Sequence, residues 1–278
     1  MFDVENNSMF GSDMETVKIY HYQNLSISYQ RLGMDNNKPL LILHGWGSNK
    51  EVMSPLAKQL SEQRDCFVLD LPGFGNSSIP HKAWNIDDYA DLIQQFIDDL
   101  ELDRTDLLVH SFGGRIALKL CARPIAESLI DKVLITGGAG MKPKRSTGYY
   151  LKKYLAKSLK APFYILPPNL REKALQRLRK TALWKSLGSS DYSKLSGVMR
   201  ETFVQTVTEY LEPCLPNIPH EILLLWGEHD DAAPLYQAER MEAGIEKAAL
   251  VVIDNAGHYA FLDKPNRFTA IAKAFFEE

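Results

Sequence analysis

Apolar and polar residues alternate from Val17 to Tyr22 and again from Leu25 to Gln30, with Gln23-Asn24 between them. A period of two on both sides of a short polar break predicts an antiparallel hairpin. From Pro39 the pattern changes. Leu40-Leu41-Ile42-Leu43, Cys66-Phe67-Val68-Leu69, Leu107-Leu108-Val109 and Val133-Leu134-Ile135-Thr136 are short continuous apolar runs, as expected of parallel strands buried on both faces. Helical spacing fills the gaps. Val52, Leu56 and Leu60 recur at every fourth position in a helix that Asn49 can cap and that runs to about Glu62. Leu92, Ile93, Phe96, Ile97 and Leu100 share one face of a helix from about Asp87 to Leu100. Ile116, Ala117 and Leu120 mark a third helix, which starts at Ser111 and ends before Pro124.

The alternation of strand and helix then stops. From about Met141 to Leu211 the spacing is helical throughout. Leu151, Tyr154, Leu155 and Leu159 share a face, Pro167-Pro168-Asn169 opens a second helix, and Asp191 can cap a third carrying Leu195, Met199, Phe203 and Val207. Strands resume at Ile222–Trp226 and Leu250–Ile253, with helices from about Leu235 to Ala243 and from Pro265 to Phe276. The expected architecture is α/β: eight strands in a mostly parallel sheet, helices on both faces, and a helical cap inserted after the sixth strand. The expected boundaries are a polar tail over 1–15, a core over 16–140 and 212–278, and a cap over 141–211.

Composition narrows the setting. The 278 residues carry 45% hydrophobic and 24% charged side chains, ordinary for a globular chain. A net charge of -3 argues against a nucleic-acid partner. No apolar run approaches the roughly 20 residues that span a bilayer, and Met1–Glu15 lacks the features of a secretory signal. Cys66, Cys121 and Cys214 are odd in number and widely spaced, so no disulfide framework is expected. Together these point to the cytoplasm, and since no pair of His or Cys has ligand-like spacing, no metal is expected.

Ligands of open α/β sheets bind beyond the carboxyl ends of the strands. His44-Gly45-Trp46-Gly47 follows the third strand, Ser111 the fifth, Gly227-Glu228-His229-Asp230-Asp231 the seventh and Asn255-Ala256-Gly257-His258 the eighth. A lone serine is a poor nucleophile. It needs a base, and that base needs an anion to hold its tautomer. Serine, acid and histidine all fall at one sheet edge.

These segments, with Asp70-Leu71-Pro72-Gly73-Phe74-Gly75-Asn76-Ser77 and His110-Ser111-Phe112-Gly113-Gly114, resemble the α/β-hydrolase superfamily in its capped, esterase-like branch. The resemblance covers Val17 to Phe276. It implies Ser111 as nucleophile, Asp230 as the triad acid, His258 as general base, and the backbone N–H groups of Trp46 and Phe112 as the oxyanion hole. Asp231 competes with Asp230, but Gly227 and Pro234 are spaced as the family spaces them around Asp230. His44 is expected to shape the oxyanion loop and His110 to be structural and to point elsewhere, while His229 stays unassigned. The implied activity is hydrolysis of a small carboxylic ester, a small-molecule substrate, without a cofactor. Cleavage of a C–C bond or lyase chemistry on an anionic substrate is the alternative, with a non-catalytic binding protein behind it.

Two features fit less simply. Val109 stands where the nucleophile-elbow pattern G-x-S-x-G has glycine. Overpacking there costs about 1–3 kcal/mol unless neighbours shrink, so a slightly displaced elbow is expected. In the cap, thirteen Lys or Arg face one acid, Glu172, between Lys142 and Lys185, with Lys173, Arg177 and Lys180 on one helical face. That is either a solvated face or a collar for an anionic substrate, an acidic partner or a membrane surface. Tyr149, Tyr150, Tyr154, Phe163, Tyr164 and Trp184 suggest an apolar substrate pocket, or packing of the cap onto the body.

Overall fold

The computed structural model describes residues 16–33, 38–144, 147–181 and 195–277. The expected tail over 1–15, Asp191 and Trp184 lie outside them. So do the side chains of Tyr149, Tyr150 and Lys180.

Eight strands form one sheet in the order β1-β2-β4-β3-β5-β6-β7-β8. They are β1 (Thr16–Tyr22), β2 (Leu25–Leu32), β3 (Pro39–Leu43), β4 (Asp65–Leu69), β5 (Thr105–His110), β6 (Ile130–Thr136), β7 (Glu221–Gly227) and β8 (Ala248–Ile253). The hairpin pairs β1 with β2 and docks antiparallel on β4, and every later pairing is parallel. Because side chains alternate across a strand, the central strands feed two cores. Leu41, Leu43, Leu107, Val109, Val133 and Ile135 face one core, together with α2 (Ile86–Asp99) and α3 (Phe112–Cys121). Leu40, Ile42, Leu108 and Leu134 face the other, closed by α1 (Lys50–Leu60) and the C-terminal helix Pro265–Glu277.

Five further helices complete the described chain: α4 (Ala126–Leu129), α5 (Thr147–Lys160), α6 (Pro168–Lys180), α7 (Gly197–Thr208) and α8 (Tyr236–Gly244). A short α9 (Ala260–Asp263) precedes the last helix, α10. Between β6 and β7 the described residues contain helices and no strand. The third inserted helix begins later than its periodicity predicts. Leu195 is outside it, Ser196 is extended, and Gly197 takes φ 53°, a left-handed turn that stops the helix from propagating backward. α7 is tied to the body by Arg115, whose Nη1 donates to the Thr206 and Glu209 carbonyls at 2.9 and 2.8 Å.

Capping also departs from the local reading. Asn49 occupies the N-cap of α1, but its side chain makes no cap bond. The buried Asp70 carboxylate accepts the Lys50 N–H at 2.7 Å instead, and its other oxygen pairs with Lys50 Nζ at 2.7 Å. A carboxylate delivered from the end of β4 thus fixes the start of α1 and the loop before it. All three cysteines are free thiols, with Cys66 and Cys121 buried, and burial pushes the Cys121 thiol up to about 12.

Candidate active site

Ser111 sits between the last residue of β5 and the first of α3 with φ 51° and ψ -101°. A non-glycine residue in that region costs on the order of 1–3 kcal/mol and persists only where its surroundings over-determine it. Three backbone bonds do so. Ser111 N–H donates to the Thr136 carbonyl at 3.0 Å, while its own carbonyl accepts from Gly114 N–H at 3.0 Å and Ala139 N–H at 3.2 Å. The crowding expected at Val109 falls elsewhere. Val109 keeps ordinary strand pairing with Leu43 and Ile135 and is fully buried in the apolar core. A Cβ on Gly113 would lie 2.8 Å from the Leu43 carbonyl oxygen, and one on Gly114 would lie 3.1 Å from Gly138 Cα. Glycine is therefore needed after the serine.

His258 Nδ1–H donates to both oxygens of Asp230, at 3.0 and 2.9 Å. The Asp230 side chain is fully buried, and its Oδ1 also accepts the Ala232 and Ala233 N–H groups at 3.0 and 2.7 Å. Asp231 is exposed and makes no such contact. The β7 and β8 loops can meet because Gly227 lets them cross: a Cβ there would lie 2.2 Å from the Gly257 carbonyl oxygen. His229 is exposed, with Glu228 3.7 Å away.

His110 does not point away from the chemistry. Its Nε2–H donates to the His258 carbonyl at 3.1 Å, and its ring centroid lies 4.6 Å from that of His258. Its Nδ1 has no partner and faces Gly45, where a Cβ would approach it to 2.8 Å and Ser111 Cβ to 3.1 Å. Burial, with His258 adding to it, pushes the His110 imidazole down to about 3. His44 is neutral for the same first reason and pushed down to about 4. Its Nδ1–H donates to the Gly45 carbonyl at 2.7 Å, and its Nε2 accepts the Leu71 N–H at 3.0 Å. It clamps the loop that carries Trp46.

Phe112 is the first residue of α3, so its N–H is one of the donors that helix geometry leaves unpaired within the helix. The Trp46 ring meets Phe74, Phe112 and Phe203 edge-on at 4.9, 5.1 and 5.0 Å. Phe203 comes from α7, so an inserted helix supplies part of the apolar wall. Its helical spacing was visible in the sequence, but its destination was not. Of the aromatics proposed for a pocket, Tyr154 and Tyr164 are exposed instead and Phe163 is half-buried. Among the described residues, they lie on segments that pack mainly on each other.

The family model for the alpha/beta hydrolase fold matches residues 38–265. The chain belongs to the α/β-hydrolase fold family. Several of its named relatives are hydrolases, and the chain is a hydrolase. It is 26% identical over 253 residues to the 2-hydroxymuconate semialdehyde hydrolase of Pseudomonas sp. strain CF600, covering 86% of this chain and 87% of the relative. It is 24% identical to the pimeloyl-[acyl-carrier protein] methyl ester esterase of Nitrosospira multiformis, covering 83% and 91%. An esterase structure from Exiguobacterium antarcticum superposes with a TM-score of 0.71 at 23% identity, covering 95% of this chain and all of that one.

Proposed function

We propose that this α/β-hydrolase is a serine hydrolase that cleaves a small carboxylic ester through an acyl-enzyme at Ser111. The observation that carries the reading is the buried Asp230 held on His258 Nδ1, at the sheet edge where Ser111 is kept in a strained turn. With the proton on Nδ1, the His258 Nε2 lone pair is the base. It takes the Ser111 hydroxyl proton as the oxygen attacks the ester carbonyl. The N–H groups of Trp46 and Phe112 receive the developing oxyanion, a contribution of about 2.7–4 kcal/mol for each such donor. Collapse expels the alcohol, which takes the proton from His258. Water then gives a proton to His258 as it attacks the acyl carbon; the bond from the acyl carbon to Ser111 Oγ breaks, Oγ takes that proton back from His258, and the carboxylic acid leaves. Residues 141–211 act as a cap over a core formed by 16–140 and 212–278, and Phe203 is the cap residue that borders the oxyanion loop.

The relative from Pseudomonas supports a second reading, hydrolysis of a C–C bond by the same residues. Burst kinetics on chromogenic esters of rising chain length separates the two. An initial burst of alcohol equal to the enzyme concentration, lost in Ser111→Ala, supports the ester reading. Turnover of a vinylogous 1,5-diketone with no ester burst replaces it with the second.

A further inference from the structure

The inserted helices carry a surface that hydrolysis does not use. Among the described residues, α5, the 3-10 turn Ala161–Ile165 and α6 pack chiefly on one another. Along them Tyr154, Leu155, Tyr164, Ile165, Leu166 and Leu170 stand in solvent, Tyr164 with 62% and Ile165 with 88% of its surface exposed. Six large apolar side chains exposed so close together in the chain mark an interaction site rather than scattered surface hydrophobics. Its charge is as unusual as its hydropathy. Residues 142–185 hold thirteen of the chain's 32 basic residues and only one of its 35 acidic ones. Lys157, Lys173 and Arg177 are exposed beside the apolar tip, and the Arg171 guanidinium lies 5.7 Å from the centre of the Tyr164 ring.

The two properties together select the occupant. A second copy of this chain in a two-fold symmetric pair would bring basic residues against basic residues. An acidic protein or a nucleic acid would match the charge but leave Ile165 and Leu166 without apolar partners. An anionic bilayer satisfies both: aliphatic and tyrosine side chains enter the headgroup layer while flanking cations meet lipid phosphates. We propose that the surface from Tyr154 to Arg177 docks on anionic membranes, with Tyr164, Ile165 and Leu166 entering the interface. The excursion starts and ends at the carboxyl edge of the sheet, the edge that holds Ser111.

Sedimentation with vesicles tests this without any turnover, so it stands or falls apart from the ester reading. The intact chain should bind vesicles of phosphatidylcholine with phosphatidylglycerol at least about tenfold more tightly than phosphatidylcholine alone, and added salt should weaken that binding. Ile165→Asp and the double variant Lys173→Glu, Arg177→Glu should each weaken binding about fivefold or more, with unchanged melting temperature. Equal binding to both vesicle types, no binding, or variants that bind like the native chain would overturn the proposal. Dimerisation in the absence of vesicles that Ile165→Asp abolishes would also overturn it, by giving the surface to a second copy.

Discussion

Two buried histidines and a glycine hold the reactive residues in place, and each makes a prediction. His44 and His110 stay neutral in the fold, pushed down to about 4 and about 3, while in the unfolded chain they titrate at the usual value of about 6.5. Between those values the unfolded chain binds more protons, so stability is complete above about pH 6.5 and falls as the pH drops toward 4. Each histidine should contribute up to about 1.4 kcal/mol per pH unit in that window. Urea unfolding at pH 7, 6, 5 and 4.5 measures it. A flat profile would contradict the neutral, buried pair, and His110→Gln should make the slope shallower. Gly45→Ala presses a methyl group on His110 and Ser111 at once. It should cost about 1–3 kcal/mol of stability and lower kcat for any ester by tenfold or more. Asp230 rather than Asp231 meets His258, the acid that the family's spacing to Gly227 and Pro234 favours. The role of His110 was not legible in the sequence, because its partner is a backbone carbonyl 148 residues away.

At the scale of elements, the strands were readable because burial on both faces leaves an unbroken apolar run. Ends were harder. Asn49 is a good capping residue by type, yet Asp70 from a neighbouring strand end takes the cap, a contact that no local window contains. Gly197 delays α7 by conformation, against an apolar periodicity that continues past it. Val109 breaks the elbow pattern on paper, but the close approaches fall on Gly113 and Gly114. Two substitutions probe these joints. Asp70→Asn leaves buried Lys50 only the exposed Glu51 carboxylate, 3.2 Å away, and should destabilise the chain by about 3 kcal/mol, read from the denaturation midpoint. Arg115→Met removes two bonds to the end of α7, a loss of about 2–3 kcal/mol. Hydrogen exchange should then quicken in 197–208 before it does in β5; uniform quickening would mean that α7 is not held through Arg115.

For the whole molecule, the decisive feature is convergence. Residues more than a hundred positions apart reach one sheet edge because parallel strands all end there, and that much could be read from strand count and order. The placement of the inserted aromatics could not be read, since an apolar helical face looks the same whether it covers a pocket or faces a membrane. Two of them are exposed, and Phe203, noted only as a helical position, packs on the Trp46 ring. Convergence on Ser111 is tested most directly by reacting the protein with a fluorophosphonate and mapping the adduct by peptide mass spectrometry, in the native chain and in His258→Ala. The account predicts one adduct, on Ser111, formed at least about a hundredfold more slowly in the variant. An adduct on another residue, or equal rates in both proteins, would contradict it.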